Sequence, residues 1–348
     1  MQINAKIFVA GHRGLVGSAV VRRLESLGYS NLVLRARPQL DLADDKQVAQ
    51  FFRSEAPDYV ILAAAKVGGI YANATYPADF IAQNLRIQTN VIEHSFVSGV
   101  KRLLFLGSSC IYPKLSPQPI KEEYLLTGPL EETNRAYAIA KIAGIEMCDA
   151  FNRQHGAHFL AAMPTNLYGP ADSYDLQNSH VIPAMLRKMH EAKRDGSPEV
   201  ILWGTGTPRR EFLYSEDAAD ACVYLMQLRD EELDSLARAS STQYPYLFNV
   251  GCGEDLTIRQ LAELVAEVVG FQGRLSFDTS KPDGTPRKLL DVNRLARLGW
   301  KPRVPLSEGL RLAYRDFLQK VAAKTVGIGS PPDSEKTQKK QETFSKHG

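Results

Sequence analysis

An α/β fold built on a parallel sheet is predicted by three features of this 348-residue sequence. Short, continuously apolar runs alternate with longer segments of helical periodicity through the first half. A glycine-rich turn joins the first apolar run to the first helical segment. The apolar runs also lack the alternation of a half-exposed sheet, so helices must cover both faces.

The elements follow in order. KIFVAG (6–11) reads as a buried strand, with a helix over 17–27. NLVLR (31–35) is the second strand, 44–55 a helix and DYVILAAA (58–65) the third strand. A helix is expected from Pro77 to about Ser98, then the strand RLLFLG (102–107), an alanine-rich helix around residue 137 and the strand HFLAAM (158–163). Right-handed crossovers between such strands give a Rossmann-like, doubly wound parallel sheet. Beyond PTNLYGP (164–170) the elements shorten, with helical stretches at 181–194, 216–227, 257–269 and 305–320 between Gly- and Pro-rich loops. These predict a smaller C-terminal α/β substrate lobe with ligand held between the two parts. The expected division is 1–170 and 171–321, with exchange of segments left open, then a polar, disordered tail over 322–348.

A hydrophobic content of 44% supports one large core or two moderate ones. The net charge is +3, and the last 28 residues, with five lysines and three acids, supply much of it. Nothing in that balance points to nucleic acid or to an anionic membrane surface. Cys110, Cys148, Cys222 and Cys252 are widely spaced and match no zinc or redox pattern, so a reduced, cytoplasmic protein without a metal site is expected. The first residues lead straight into a strand without the pattern of a signal peptide. No apolar run reaches the roughly 18 residues of a membrane span.

FVAGHRGLVGSAV places Gly11, Gly14 and Gly17 where the first strand meets the first helix. A pyrophosphate at that helix N-terminus needs close backbone approach, hence the glycines. Gly11, His12, Arg13, Gly14, Leu15, Val16 and Gly17 are therefore the expected dinucleotide loop. An NAD site ordinarily carries an acid about 20 residues further on, for the ribose 2′-hydroxyl. This chain offers Arg35 and Arg37 there, with no acid before Asp41. Guanidinium groups suit a 2′-phosphate, so NADPH is the predicted coenzyme, with Asp41 and Leu42 near its adenine.

NRAYAIAKIAG (134–144) sets Tyr137 and Lys141 one helical turn apart. A neighbouring cation lowers a phenol pKa from about 10 toward neutrality and makes a general acid. LFLGSSCIYPK (104–114) ends the fourth strand with Ser108, Ser109 and Cys110, at the strand end where open α/β sheets bind ligands. Together these give a Ser108–Tyr137–Lys141 set.

With these residues in place, the sequence resembles the extended short-chain dehydrogenase/reductases that act on nucleotide sugars, and within them the epimerase–reductases of GDP-4-keto-6-deoxymannose. The matching stretches are GHRGLVGSA, LAAAKVGGIYANATYPADF, FLGSSCIYPK, YAIAKIAG, MPTNLYGP, NSHVIPA, WGTGTPRREF and KPDGTPRKLLD, which span about residues 6 to 320. The resemblance implies removal and return of the protons at C3 and C5, acidified by the ketone, and then hydride reduction at C4. Ser108 and Tyr137 would hold and protonate the carbonyl oxygen, while Lys141 would lower the tyrosine pKa and hold the ribose. Cys110 and His180 would be the epimerisation pair; free Cys and His titrate near 8.5 and 6.5, suited to proton shuttling. Without the resemblance, Cys110 reads as a small buried apolar residue and His180 as a histidine at a helix start.

The resemblance also implies coenzyme contacts from Leu106, Gly107, Ser108 and Ser109, from Pro164, Thr165, Asn166 and Leu167, and from Lys141 and His180. Lys188, Trp203, Arg210 and Asp283 would hold the GDP-sugar. Lys188 stands where the family pattern has arginine, which keeps the charge and loses the bidentate fork. A homodimer through a four-helix interface is implied, built from the segment after Pro77 and the Tyr137 helix. Two other readings are weighed. A 4-epimerase or 4,6-dehydratase that recycles NAD is disfavoured by Arg35, Arg37 and the Cys110/His180 pair. A non-catalytic NADP sensor is disfavoured by the intact Ser108–Tyr137–Lys141 set, since a sensor needs no proton donor.

Overall fold

The computed structural model describes residues 1–176, 179–239, 242–281 and 283–322. The first half runs β1 (Ile7–Ala10), α1 (Leu15–Ser26), β2 (Leu32–Val33), α2 (Asp45–Glu55), β3 (Tyr59–Leu62), α3 (Ile70–Thr75), α4 (Pro77–Val97), β4 (Arg102–Leu106), α5 (Arg135–His155) and β5 (Phe159–Pro164). Then come β6 (Asn166–Tyr168), α6 (Val181–Arg194), β7 (Glu199–Trp203), β8 (Arg209–Arg210), β9 (Phe212–Tyr214), α7 (Ser215–Gln227), α8 (Asp230–Ala239) and β10 (Leu247–Val250). The remainder is β11 (Leu256–Thr257), α9 (Ile258–Val269), β12 (Arg274–Asp278), β13 (Arg287–Lys288), α10 (Asn293–Arg297) and α11 (Leu306–Ala322). Of the tail expected over 322–348, Ala322 closes α11 and the rest lies outside the described residues.

The central sheet has the order β10-β5-β4-β3-β1-β2, and every pairing in it is parallel. This is the doubly wound architecture that the continuous apolar runs predict. Successive side chains of a strand point to opposite faces, and both faces are dry. Phe8, Val60, Leu103, Phe105 and Phe159 meet α2, α4 and α5 through Val48, Phe52, Val91 and Ile145. Ile7, Val9, Ile61, Leu104 and Leu160 meet α1 and α7 through Ala19, Val20, Ala218 and Cys222. A separate core in the second lobe joins α6, α9 and α11 through Leu186, Val265 and Phe317.

Two strands keep half or less of their expected length. β2 keeps Leu32 and Val33 of the expected 31–35, because Arg35 turns away to Glu55 at the end of α2. β3 stops at Leu62 instead of residue 65, and the chain peels off over the glycine turn. The sixth strand, β10, comes from the 171–321 range yet pairs with β5. Around the second lobe lie β7 with β12, β6 with β9, and β8 between β11 and β13. Among the described residues, no helix is long and apolar enough to cross a membrane.

The helix that carries Tyr137 and Lys141 lies flush on the sheet because of one small residue. Gly144 faces the Phe105 ring, and a Cβ there would run into the ring's far edge. Phe105 is itself buried and has nowhere to move. Gly144→Ala should therefore destabilise the chain by about 1 kcal/mol. Overpacking costs roughly 1–3 kcal/mol, and the better helix propensity of alanine returns about 1. Denaturant unfolding should show a lower midpoint at an unchanged slope; an equal or higher midpoint would contradict the tight fit.

Candidate active site

The glycine turn is built for close approach. Gly11 has φ +86° and its missing Cβ would lie 2.7 Å from the Ala64 nitrogen. A Cβ on Gly17 would run into the Gly11 carbonyl oxygen, so the first turn of α1 can nest against the loop. Gly14 caps α1 and its N–H donates to the Gly11 carbonyl at 3.0 Å. Leu15 and Val16 form the first helical turn and Arg13 is exposed beside them. The His12 Nδ1 is buried with no hydrogen-bond partner, and burial followed by the Arg13 charge lowers its pKa. This cradle fits a dinucleotide: free N–H groups at a helix N-terminus, with side chains absent where phosphates would lie.

The two arginines after β2 part company. Arg35 is held by Glu55 at 2.5 Å and by the Leu34 carbonyl, so its charge is already satisfied. Arg37 keeps 72% of its side chain exposed and meets Asp41 at 3.7 Å. Asp41 also accepts from the Ala43 N–H, while the Leu42 carbonyl accepts from Asn90 on α4. Arg37 alone of the pair is available to a phosphate.

At the carboxyl end of β4 the chain turns through Gly107, whose N–H donates to Ala162 on β5. Ser108 caps a 3-10 turn over Ser109–Ile111 and accepts from the Cys110 N–H at 3.5 Å. The Lys141 ammonium donates to the Leu106 carbonyl at 2.7 Å and lies 4.7 Å from the Phe105 ring centre. Tyr137 stands one turn earlier, with its ring 5.8 Å from that ammonium and edge-on to Phe80. The Ser108 side chain lies near enough to the tyrosine hydroxyl to favour its ionised form. The predicted Ser108–Tyr137–Lys141 set and Cys110 thus converge.

Their electrostatics differ from the expectation. Burial, and then the Cys110 thiol, raises the Tyr137 pKa, against which the Ser108 side chain works; lysine does not pull it toward neutrality. The same burial pushes Lys141 down to about 8. It raises the Cys110 thiol, while Lys288, Ser108 and Lys141 favour the thiolate. Desolvation penalises whichever form is charged, so acids rise and bases fall together.

After β5, the Thr165 N–H donates to Val250, and the side chains of Thr165 and Asn166 both donate to the Glu211 carbonyl. Pro164 ends β5 and Leu167 lies in β6. His180 caps α6; it is reached by solvent yet densely surrounded, and loss of bulk water lowers its pKa. Among the described residues no hydrogen bond joins His180 to Cys110. Trp203, at the end of β7, exposes 62% of its surface and has the ammonium groups of Lys188 and Lys281 at 5.8 and 5.7 Å from its ring. Burial lowers the pKa of both Lys188 and Arg210. Asp283 is committed elsewhere: it accepts from the Thr205 N–H at 2.7 Å and the Thr205 hydroxyl at 2.9 Å, pinning the turn after Trp203.

Sequence reasoning missed Lys288. It lies on β13, in the quoted stretch KPDGTPRKLLD, and its ammonium acts electrostatically on the Cys110 thiol. Arg210 lies within electrostatic range of Lys288. Only the stretch's match to a known pattern could have flagged it.

Residues 7–237 match the model of the NAD dependent epimerase/dehydratase family. The chain belongs to that family. Among its members, GDP-L-fucose synthase 1 of Arabidopsis thaliana is 58% identical over 318 residues, covering 91% of this chain and 94% of the relative. GDP-L-fucose synthase of Escherichia coli K12 is 55% identical, covering 90% and 97%. Among solved structures, a GDP-L-fucose synthetase from Naegleria fowleri bound to NADP superposes with TM-score 0.81 at 27% identity, covering 92% and 96%. A GDP-D-glycero-L-gluco-heptose synthase from Campylobacter jejuni, solved with NADPH present, gives 0.85 at 38%, covering 91% and 99%.

In this member of the epimerase/dehydratase family, Lys141 has a folded pKa of about 8 against 10.5 for a free lysine. A lysine that binds its proton less tightly when folded destabilises the fold below pH 8, and that penalty fades as pH rises toward 10.5. Lys141→Met removes the titration. Relative to the parent, the variant should be at its best below pH 8 and lose ground by at least about 3 °C in Tm by pH 10.5. A pH-independent difference in Tm would show that Lys141 is not held in this way.

Proposed function

We propose that the protein is an NADPH-dependent epimerase–reductase that converts GDP-4-keto-6-deoxy-D-mannose to GDP-L-fucose. The observation that carries this reading is the Cys110 thiol lying buried within electrostatic range of Ser108, Tyr137 and Lys141. A plain ketone reductase needs a proton donor and no thiol. The names borne by close relatives agree with it. NADPH, when bound, supplies the hydride to C4. Residues 11–17 would hold its pyrophosphate, Arg37 its 2′-phosphate, and Leu106 to Ser109 with Pro164 to Leu167 its nicotinamide half.

The chain's own groups manage the protons. The raised pKa of Tyr137 keeps its proton in place until a stronger base, the C4 alkoxide, forms beside it. Ser108 orients both oxygens. Lys141, mostly charged at pH 7, favours negative charge at the tyrosine oxygen as the proton leaves. For epimerisation, burial leaves Cys110 as a thiol and His180 as a neutral imidazole. The resting pair therefore holds one proton and one vacant basic site, as removal at one face and return at the other require. Lys288 and Lys141 offset part of the burial penalty on the thiolate. Lys188, Trp203 and Arg210 would receive the GDP moiety, with Asp283 shaping their turn.

We further infer a homodimer through a four-helix interface, supported by α4 and α5 lying side by side with Val97 and Ile139 exposed on them. A cytoplasmic setting is supported by the four free cysteines.

Replacing Arg37 by Ala should weaken NADPH binding roughly tenfold and leave NADH within about twofold, in a fluorescence titration. Equal losses for the two coenzymes would rule out a 2′-phosphate contact. The two chemistries should also separate in heavy water. Tyr137→Phe should slow reduction by about 10²-fold or more and retain deuterium exchange at C3 and C5. Cys110→Ala should suppress exchange, and its residual reduction should yield the unepimerised 6-deoxy sugar, read by NMR. Full exchange and normal product from Cys110→Ala would return that residue to core packing.

A further inference from the structure

Glu211 lies between β8 and β9 with no accessible surface, a full carboxylate at the junction of the two lobes. Its oxygens accept from the Gly253 N–H at 2.7 Å and from the Leu290 N–H at 3.0 Å. The Cys252 N–H and the Thr165 hydroxyl are also within reach. Burial raises its pKa and these bonds oppose the rise; backbone dipoles, rather than a salt bridge, stabilise the anion. The three backbone N–H groups at its oxygens are all donors. An ionised carboxylate, which only accepts, is the one side chain of this size that matches such a set.

Two of the three segments it ties, those of Leu290 and of Thr165 and Asn166, build the site. Leu290 ends the strap that begins at β13 and carries Lys288 to the Cys110 thiol. Ile120, in the segment after Cys110, donates to the Leu289 carbonyl at 2.7 Å and accepts from the Asp291 N–H at 2.8 Å, so the strap is pinned beside the thiol's own segment. The Glu211 carbonyl accepts from Thr165 at 3.2 Å and Asn166 at 2.8 Å, in the segment assigned to the coenzyme. Arg210 directly precedes it. One residue thus sets the cation at the thiol and the segment under the nicotinamide in a single frame.

We propose that Glu211 is a positioning residue for the epimerisation half of the reaction, fixing Lys288 against Cys110 relative to the coenzyme segment. The inference rests on the function proposed above. A misplacement of about 1 Å at such a group can cost roughly 10²-fold in rate, whereas reduction relies on Tyr137 and Lys141, which Glu211 does not touch.

The test uses Glu211→Gln, which turns one oxygen into a donor facing donors, and Glu211→Asp, which keeps the charge and falls about 1.5 Å short. Both are assayed below their melting temperatures with NADPH and the GDP-4-keto sugar in heavy water. Deuterium exchange should fall at least about tenfold and the unepimerised share of the reduced product should rise. NADPH should still bind within about threefold, and amide exchange over 286–292 should quicken. The product ratio does not depend on how much enzyme is folded, so a purely structural role would leave it unchanged. An unchanged ratio, or failure of both variants to fold, would overturn the proposal and leave Glu211 a stability residue. A parent enzyme that exchanges no deuterium would sink the assigned reaction itself; a parent that exchanges, with variants that match it, would sink only the role of Glu211.

Discussion

The bond from the Lys141 ammonium to the Leu106 carbonyl is the constraint on which the site depends. It fastens α5 to the last residue of β4 and fixes how far the helix can slide along the strand. The helix runs back along the sheet, so a step toward its start is a step past the strand's end. Four residues of helix cover about 6 Å and two residues of strand about 6.6 Å. Tyr137, four before Lys141, therefore arrives over Ser108, two beyond Leu106. The bond can form because Gly144 lets α5 lie against Phe105. Replacing any one of these contacts shifts the register of the others.

Burial, more than charge pairing, sets the acid–base character of this site. The familiar account of a lysine beside a tyrosine has the cation acidify the phenol. Here the desolvation of both groups is larger, and it raises the tyrosine and lowers the lysine. Proton donation survives this, because a donor needs its proton in place and a stronger base beside it. The thiol is treated differently. Two ammonium groups, Lys141 from the sheet side and Lys288 from the second lobe, offset part of the burial penalty at Cys110. In the proposed reaction the second lobe thus contributes to proton chemistry as well as to holding the sugar nucleotide.

Much of this was legible in the sequence for local reasons. The continuous apolar runs, the glycine turn and the Tyr137/Lys141 spacing each report on neighbours within one turn or one strand. The sixth strand was not legible. Leu247–Val250 is a four-residue stretch broken by the polar Asn249 in a region of mixed texture, and nothing local says that it returns to pair with β5. The same holds for Arg35 and Arg37. Two residues apart on an extended segment, they look equivalent, and only the position of Glu55 at the end of α2 separates the satisfied arginine from the available one. Lys288 and Glu211 work across 178 and 46 residues respectively, on Cys110 and on Thr165. Such pairings are set by the folded topology, and a single sequence carries no periodicity that marks them.

The second lobe divides its work between rigid and compliant groups. Asp283 is tied to Thr205, and Arg209 and Arg287 both close on Asp255, so the turn after Trp203 and the start of the Lys288 strap are fixed by paired charges. Lys188 and Lys281 are of the other kind. They flank an exposed indole with ammonium groups on flexible stems, and neither can form the fork that an arginine would. In the proposed reaction, the diphosphate would meet charge there without imposed geometry. Orientation of the sugar must then come from the fixed groups, Arg210 beside Glu211 and the cluster of Ser108, Cys110 and Tyr137. That arrangement suits a reaction in which one ring presents C3, C5 and C4 in turn. A compliant hold on the nucleotide lets the ring move by small amounts between steps, while the hydrogen-bonded frame keeps the acid and base positions still.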